Sequence, residues 1–177
     1  MKRLKRVLCA VDIREPDREV FAYALAMARR SAASLLVVHA ASPVRPLNEG
    51  ATERVDFLRQ LRAAAEAASV DTRVTVQRGD VAGVILLHAA ARRPDLIVIG
   101  GGQHHGRRYR FSSIAERVVR GGPCPTLVVP EGPHSAAEPF ENIVCAVDFS
   151  PASHAAVHHP LRLAQRSERR LTLLHLV

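Results

Sequence analysis

The chain repeats itself. Laid over itself so that Asp12 falls on Asp148, the segment RVLCAVDIREPDREVFAYALAMARRSAASLLVVHA runs without a gap along NIVCAVDFSPASHAAVHHPLRLAQRSERRLTLLHL. Cys9 meets Cys145, Ala10 meets Ala146, Val11 meets Val147, Ala28 meets Ala164, Ser31 meets Ser167, Leu35 meets Leu171 and His39 meets His175. A strand ending in Asp, an amphipathic helix and a second strand ending in His recur at fixed spacing, which is the mark of a duplicated β-α-β unit. The first copy continues into further elements, whereas the second reaches Val177 at the end of its second strand. A half-domain of that kind has strand edges and a helix face with no cover of their own, so it is expected to pack on the first domain or on another chain. Truncation of a longer tandem protein explains it equally well.

Length agrees with one full domain and a fragment, since domains usually run to roughly 100–150 residues and the chain has 177. The division expected is a domain over residues 1–130, a linker over 131–141 rich in Gly, Ser, Pro and Glu, and the partial repeat over 142–177. Apolar residues make up 47% and aromatics 4%, with no Trp, so the interior must be filled by Val, Leu, Ile and Ala. No apolar run approaches the roughly 18 residues that cross a bilayer, and Asp12 interrupts the N-terminal run before a secretory core could form. Cys9, Cys124 and Cys145 are too widely spaced for a disulfide framework or a zinc pattern, which fits a reducing cytoplasm.

Hydrophobic periodicity lays out the first copy. Val7 to Val11 reads as a buried strand with Asp12 at its carboxyl end. Asp17 to Arg30 is a helix with Val20, Ala24, Leu25 and Ala28 on one face, and Leu35 to His39 a second strand. Ser42 to Gly50 is a loop. Ala51 to Ser69 is a helix whose apolar face carries Val55, Leu58, Leu61, Ala65 and Ala68, followed by a strand over Thr72 to Gln77 near the sheet edge. Asp80 caps a helix that runs to Arg92 and is ended by Pro94. Asp95 to Ile99 is the fourth strand. After Gly100, Gly101 and Gly102 a basic loop from Gln103 to Phe111 leads to Ser112 and Ser113, either of which can cap a helix through Ile114, Ala115, Val118 and Val119. Pro125 to Val129 is the fifth strand. This alternation predicts an α/β fold, an open, doubly wound parallel sheet with helices on both faces, and ligands in such sheets bind at the carboxyl ends of the strands.

Asp12 and Gly100 both lie at such ends. Three glycines, a loop and a Ser-capped helix make a phosphate cradle, with Ser112, Ser113 and the Ile114 amide as donors, although a strand-to-loop junction also needs glycine for its own geometry. Asp12 is suited to accept hydrogen bonds from a ribose or base, or else to cap its own turn. His39 and His175 read as packed, hydrogen-bonded side chains, because no second metal ligand stands at suitable spacing. His104 and His105 point apart in an extended loop, and no metal site is expected. There is no G-x-S-x-G, HExxH or Walker-type motif, and no residue stands out as a general base, so slow ATP hydrolysis is the most that enzymatic chemistry could amount to.

The strings VLCAVD and NIVCAVDFSPAS, the strand ends LLVVHA and LLHLV, and the phrases GDVAGVILLHAAARRPDLIVIG and SSIAERVVRGGPCPTLVVP together resemble the universal stress protein family, over nearly all of residues 4–130 and again 141–177. The resemblance implies a five-stranded parallel sheet in the order 3-2-1-4-5, usually dimeric, in a family whose members divide into those that bind ATP and those that do not. ATP-binding members carry G-x2-G-x9-G-S/T. Gly100 fits its first glycine and Ser113 its hydroxyl residue, but Gln103 stands at the second glycine, Ser112 at the third, and the stretch between is one residue short. By resemblance the pocket is lined by Ala10, Val11, Asp12, Ala40, Ile99, Gly100, Gln103, Ser112, Ser113 and Ile114, with Gly101, Gly102, Gly106, Arg107 and Arg108 able to rebuild an anion site in another register.

Three functions follow as expectations. The first is a stress-response regulator with an adenine-nucleotide pocket, taking ATP with Mg²⁺ through a degenerate motif. The second is a homodimeric interaction module without nucleotide. The third, prompted by a formal charge of +8 and the Arg107 to Arg110 cluster, is association with nucleic acid. The scarcity of aromatics to stack on bases argues against this last one.

Overall fold

Val7, Leu8 and Cys9 are buried because the strand they form is covered on both faces and paired along both edges. A computed structural model describes residues 3–12, 17–41, 51–102, 112–130, 140–164 and 169–175. In chain order the first copy forms β1 (Arg6–Ala10), α1 (Asp17–Ser31), β2 (Ser34–Ala41), α2 (Ala51–Ala67), β3 (Thr72–Arg78), α3 (Val81–Arg92), β4 (Leu96–Gly100), α4 (Ser113–Gly121) and β5 (Thr126–Val129). The five strands make one sheet in the order β3-β2-β1-β4-β5, and each of its neighbouring pairs is parallel.

Side chains alternate across this sheet, so the strands feed two cores. On one face Val7, Cys9, Val11, Leu35 and Val37 meet Val20, Phe21, Ala24 and Ala28 of α1 and Phe57, Leu61 and Ala65 of α2. On the other, Leu8, Val38, Ile97 and Ile99 meet Ala82, Val84, Ile85 and Ala89 of α3 and Ala115 and Val118 of α4. Right-handed crossovers explain the division: α1 and α2 carry the chain one way along the sheet, α3 and α4 the other.

Two apolar residues depart from the expected faces. Val55 is exposed, because it lies about 120° round α2 from Leu61, while Phe57, which periodicity passed over, fills the core beside Leu61. Val119 is also exposed, on the flank of the narrow stripe that Ala115 and Val118 turn inward. The strands run slightly further than the sequence implied: Ala40 and Ala41 pair with Gln77 and Arg78, and Gly100 pairs with Val129. Asp80 caps α3 as expected, its Oδ2 accepting the Gly83 amide at 2.8 Å. The expected loops 42–50 and 103–111 and the linker residues 131–139 lie outside the described residues.

The chain divides into two compact units, one spanning Arg3–Ala136 and the other including Ala137–Val177. In the second, β6 (Asn142–Ala146) and β7 (Arg170–Leu174) form a parallel pair joined through α5 (Pro151–Ala164). The repeat is preserved down to single contacts. Val11 N donates to Val38 O at 3.0 Å, and Val147 N to Leu174 O at 2.8 Å. Burial is not preserved: Leu8 and Val38 are fully buried, whereas their counterparts Val144 and Leu174 are exposed.

Candidate functional site at the carboxyl rim of the sheet

The strand order sets β1 beside β4, with Cys9 opposite Val98, so Asp12 leaves the sheet on the same rim as Gly100. Val11 is framework: its side chain is buried in the first core, its amide is taken by Val38 and its carbonyl by the His39 ring at 3.0 Å. Asp12 follows with an exposed side chain. Ala10 and Ala40 are half-buried against the second core, and Ile99 is buried within it.

The turn after β4 is held at its base by main-chain bonds. Gly101 N donates to Val129 O at 2.8 Å, and Ser112 N to Gly101 O at 2.9 Å, so the start of α4 is tied to the end of β4. Ser112 is the cap, with φ −60° and ψ 152°, its Oγ accepting the Ala115 amide at 3.1 Å. That φ is ordinary for serine, so the position does not demand glycine; Gly102 does, at φ +89°. Ser113 is the exposed first helical residue and Ile114 is half-buried. With the Ala115 amide capped, those of Ser113 and Ile114 are, among the described residues, the first-turn donors left toward the rim. Gln103, Gly106, Arg107 and Arg108 lie outside the described residues.

Arg117, which drew no attention in the sequence, forks onto Asp80 at 3.0 and 2.8 Å and links the second turn of α4 to the cap of α3. The Arg117 guanidinium and then the Gly83 amide hold the Asp80 carboxyl below its usual range. Only folding could reveal this pair, since 37 positions separate the partners. Both side chains are well exposed, so the ion pair orients more than it stabilises. Among the described residues no group of three or more His, Cys, Asp and Glu side chains converges as a metal site would require.

The second copy shows what its aspartate does. Asp148 Oδ1 accepts the Ser150 amide at 2.9 Å, and Ser150 Oγ in turn accepts the Ser153 amide at 3.2 Å at the start of α5. Hydrogen bonds from the Ser150 side chain and amide, then the Ser153 side chain, lower Asp148 to about 2. The aspartate there serves its own turn. The first copy has Arg14 and Asp17 at the corresponding positions, so neither hydroxyl recurs there in the sequence. A carboxyl whose folded pKa is depressed stabilises the fold fully above its unfolded value, near 3.8, and that contribution is lost as pH falls through about 2. An NMR titration of the Asp148 side chain should therefore give a midpoint near 2, and Ser150→Ala should move it back toward 3.8.

The model of the Universal stress protein family matches residues 3–130 and 139–177. This chain belongs to that family. A universal stress protein of Thermus aquaticus, encoded in the 3′ region of a QAH/OAS sulfhydrylase gene, is 34% identical over 135 residues, which cover 71% of this chain and 98% of the relative. A universal stress protein of Archaeoglobus fulgidus DSM 4304 superposes with a TM-score of 0.77 at 16% identity, covering 97% of this chain and 67% of that one. Another from Archaeoglobus fulgidus, solved in complex with dAMP, superposes with a TM-score of 0.56 at 21% identity, covering 72% of this chain and 98% of that one. At such identities the structural likenesses concern the fold, which is that of universal stress proteins, with the strand order 3-2-1-4-5.

Proposed function

We propose that the first domain binds an adenine nucleotide at the carboxyl rim of β1 and β4, and that occupancy is read out in a stress response through assembly or partner choice. The phosphate lies against the Gly102 turn and the start of α4, where the Ser113 and Ile114 amides and the positive end of the helix dipole favour an anion. Asp12 accepts hydrogen bonds from the ribose or base. The observation that carries this reading is the pairing on one rim of a strand-end carboxylate with a helix start whose Ser113 and Ile114 amides have no acceptor among the described residues. The dAMP complex of an Archaeoglobus fulgidus relative lends it chemical precedent.

A monophosphate suits the turn better than a triphosphate. Ser112 stands where the family's ATP pattern has glycine, and its Cβ lies only 2.8 Å from the place a Cβ on Gly102 would take, so the turn is closed tightly on itself. Cys9, Cys124 and Cys145 are not joined to one another in disulfides, which suits a cytoplasmic regulator. Isothermal titration should show AMP binding, ATP with Mg²⁺ binding more weakly, and Asp12→Ala lowering AMP affinity about tenfold or more, as loss of a charged hydrogen-bond acceptor does. No heat from any adenine nucleotide at millimolar concentration overturns the reading.

A second reading, a homodimeric interaction module, rests on β5. It is an outer strand with one pairing partner, β4, among the described residues, and an open edge of that kind accepts a strand from another copy. A monomeric mass by light scattering at all concentrations removes it.

A further inference from the structure

The rim contains a device that occurs twice in the chain. His39 is 4% exposed, at a level of the sheet where β1 has run out: the Val11 amide still reaches Val38 O, but its carbonyl faces the His39 ring instead of a ladder partner. Buried carbonyls need a donor. Nδ1 of His39 lies 3.0 Å from Val11 O, and a carbonyl can only accept, so the Nδ1 position carries the proton and donates. The peptide whose carbonyl is held is the one that joins Val11 to Asp12. Its plane therefore fixes the direction in which the Asp12 backbone, and with it the carboxylate, leaves the sheet.

The second copy reproduces the contact in different surroundings. His175 Nδ1 lies 2.8 Å from Val147 O, on the peptide that leads into Asp148. That histidine is exposed, and Phe149 packs on its ring at 4.5 Å between centroids. Burial of the imidazole differs between the copies while the donation to the strand-end carbonyl stays, so core filling alone does not account for the histidine. We propose that His39 is a positioning residue: its Nδ1–H donation to Val11 O orients Asp12 toward the nucleotide. This rests on the nucleotide reading above for its functional part, and on the hydrogen bond alone for its structural part.

Long-range ¹H–¹⁵N correlation spectra of the full chain, recorded where the rings are neutral, should show His39 and His175 as Nδ1–H tautomers, the form less favoured in free histidine. An Nε2–H tautomer at His39 overturns the proposal. Two variants separate donation from packing. Asn places an N–H close to the position of Nδ1, whereas Leu fills space without a donor. His39→Leu should shift the Asp12 amide resonance and weaken AMP binding about tenfold, the loss of one buried hydrogen bond, while His39→Asn should stay within about threefold of the parent. Equal losses in the two variants, or undiminished binding in His39→Leu, refute the positioning role. Should the parent bind no AMP, the nucleotide reading fails by itself, and the Asp12 amide still decides whether the donation orients that residue. Should His39→Leu not fold, His175→Leu gives the same test at Asp148, where the ring is exposed: an unmoved Asp148 amide counts against the device.

Discussion

Replacing Leu8 by Ala should destabilise the first domain by about 2–5 kcal/mol, whereas Val144→Ala, at the same position of the repeat, should change stability by no more than about 0.5 kcal/mol. Leu8 is fully buried between α3, β4 and α4, and truncation there removes apolar surface and leaves a cavity in a close-packed layer. Val144 occupies the matching place on β6 but is 66% exposed, so its removal takes little from the fold. Leu174 against Val38 repeats the contrast. Urea denaturation followed by far-ultraviolet circular dichroism, with hydrogen exchange to locate the change, gives both values. A Val144→Ala cost as large as that of Leu8→Ala would mean that the face of β6 and β7 bearing Val144 is covered, contrary to its 66% exposure.

The order of elements was legible because each strand of the first copy carries its own signature. A fully buried parallel strand reads as an unbroken apolar run, as LIVIG of β4 does before its glycine turn, while LVVHA and TLVV are apolar runs interrupted only by His39 and Thr126. Helix faces were legible only where the stripe was wide. Leu61 and Ala65 pointed the right way, but Val55 matched the three- and four-residue spacing and still faces solvent, because spacing is blind to which side of a ragged apolar arc meets the sheet. Exposure of the second copy could not be read from its residues at all. Val144 and Leu174 are as apolar as Leu8 and Val38; what differs is the absence of an α3-like and an α4-like cover among the described residues of that unit.

At the rim, the sequence pointed to Asp12, Gly100, Ser112 and Ser113 through strand ends and capping chemistry, both of which are local. It could not distinguish Ser112 from Ser113 as the cap, since either hydroxyl stands within reach of a third amide; the bond from Ser112 N to Gly101 O decides it by fixing the chain direction before the helix. Nor could it find the Asp80–Arg117 fork, in which the partners meet only once α3 and α4 are laid side by side. His39 was legible as a hydrogen-bonded core residue, yet its acceptor, the Val11 carbonyl, emerges only from the place where β1 stops pairing with β2.

Gly102→Ala should be the most damaging single change at this rim, and it should act in two separable ways. The residue sits at φ +89°, where an L side chain costs about 1–2 kcal/mol. The new Cβ would also stand 2.8 Å from the Ser112 Cβ, closer than two carbons can approach. Relief requires Ser112 to shift, which breaks its cap on the Ala115 amide, worth about 1 kcal/mol, and tilts the first turn of α4 away from the rim. The expected result is a loss of about 2–3 kcal/mol in stability, together with loss of AMP binding. Gly101→Ala is the control: its nearest contacts are 3.4 Å and its φ is not in the positive range, so it should be mild. Ser112→Gly in the Gly102→Ala background should remove the carbon–carbon clash but leave the backbone strain, so the two changes together should cost less than the sum of each alone. Strict additivity would show that Gly102 and Ser112 do not press on one another, and the closed turn proposed as the phosphate seat would then lose its structural basis.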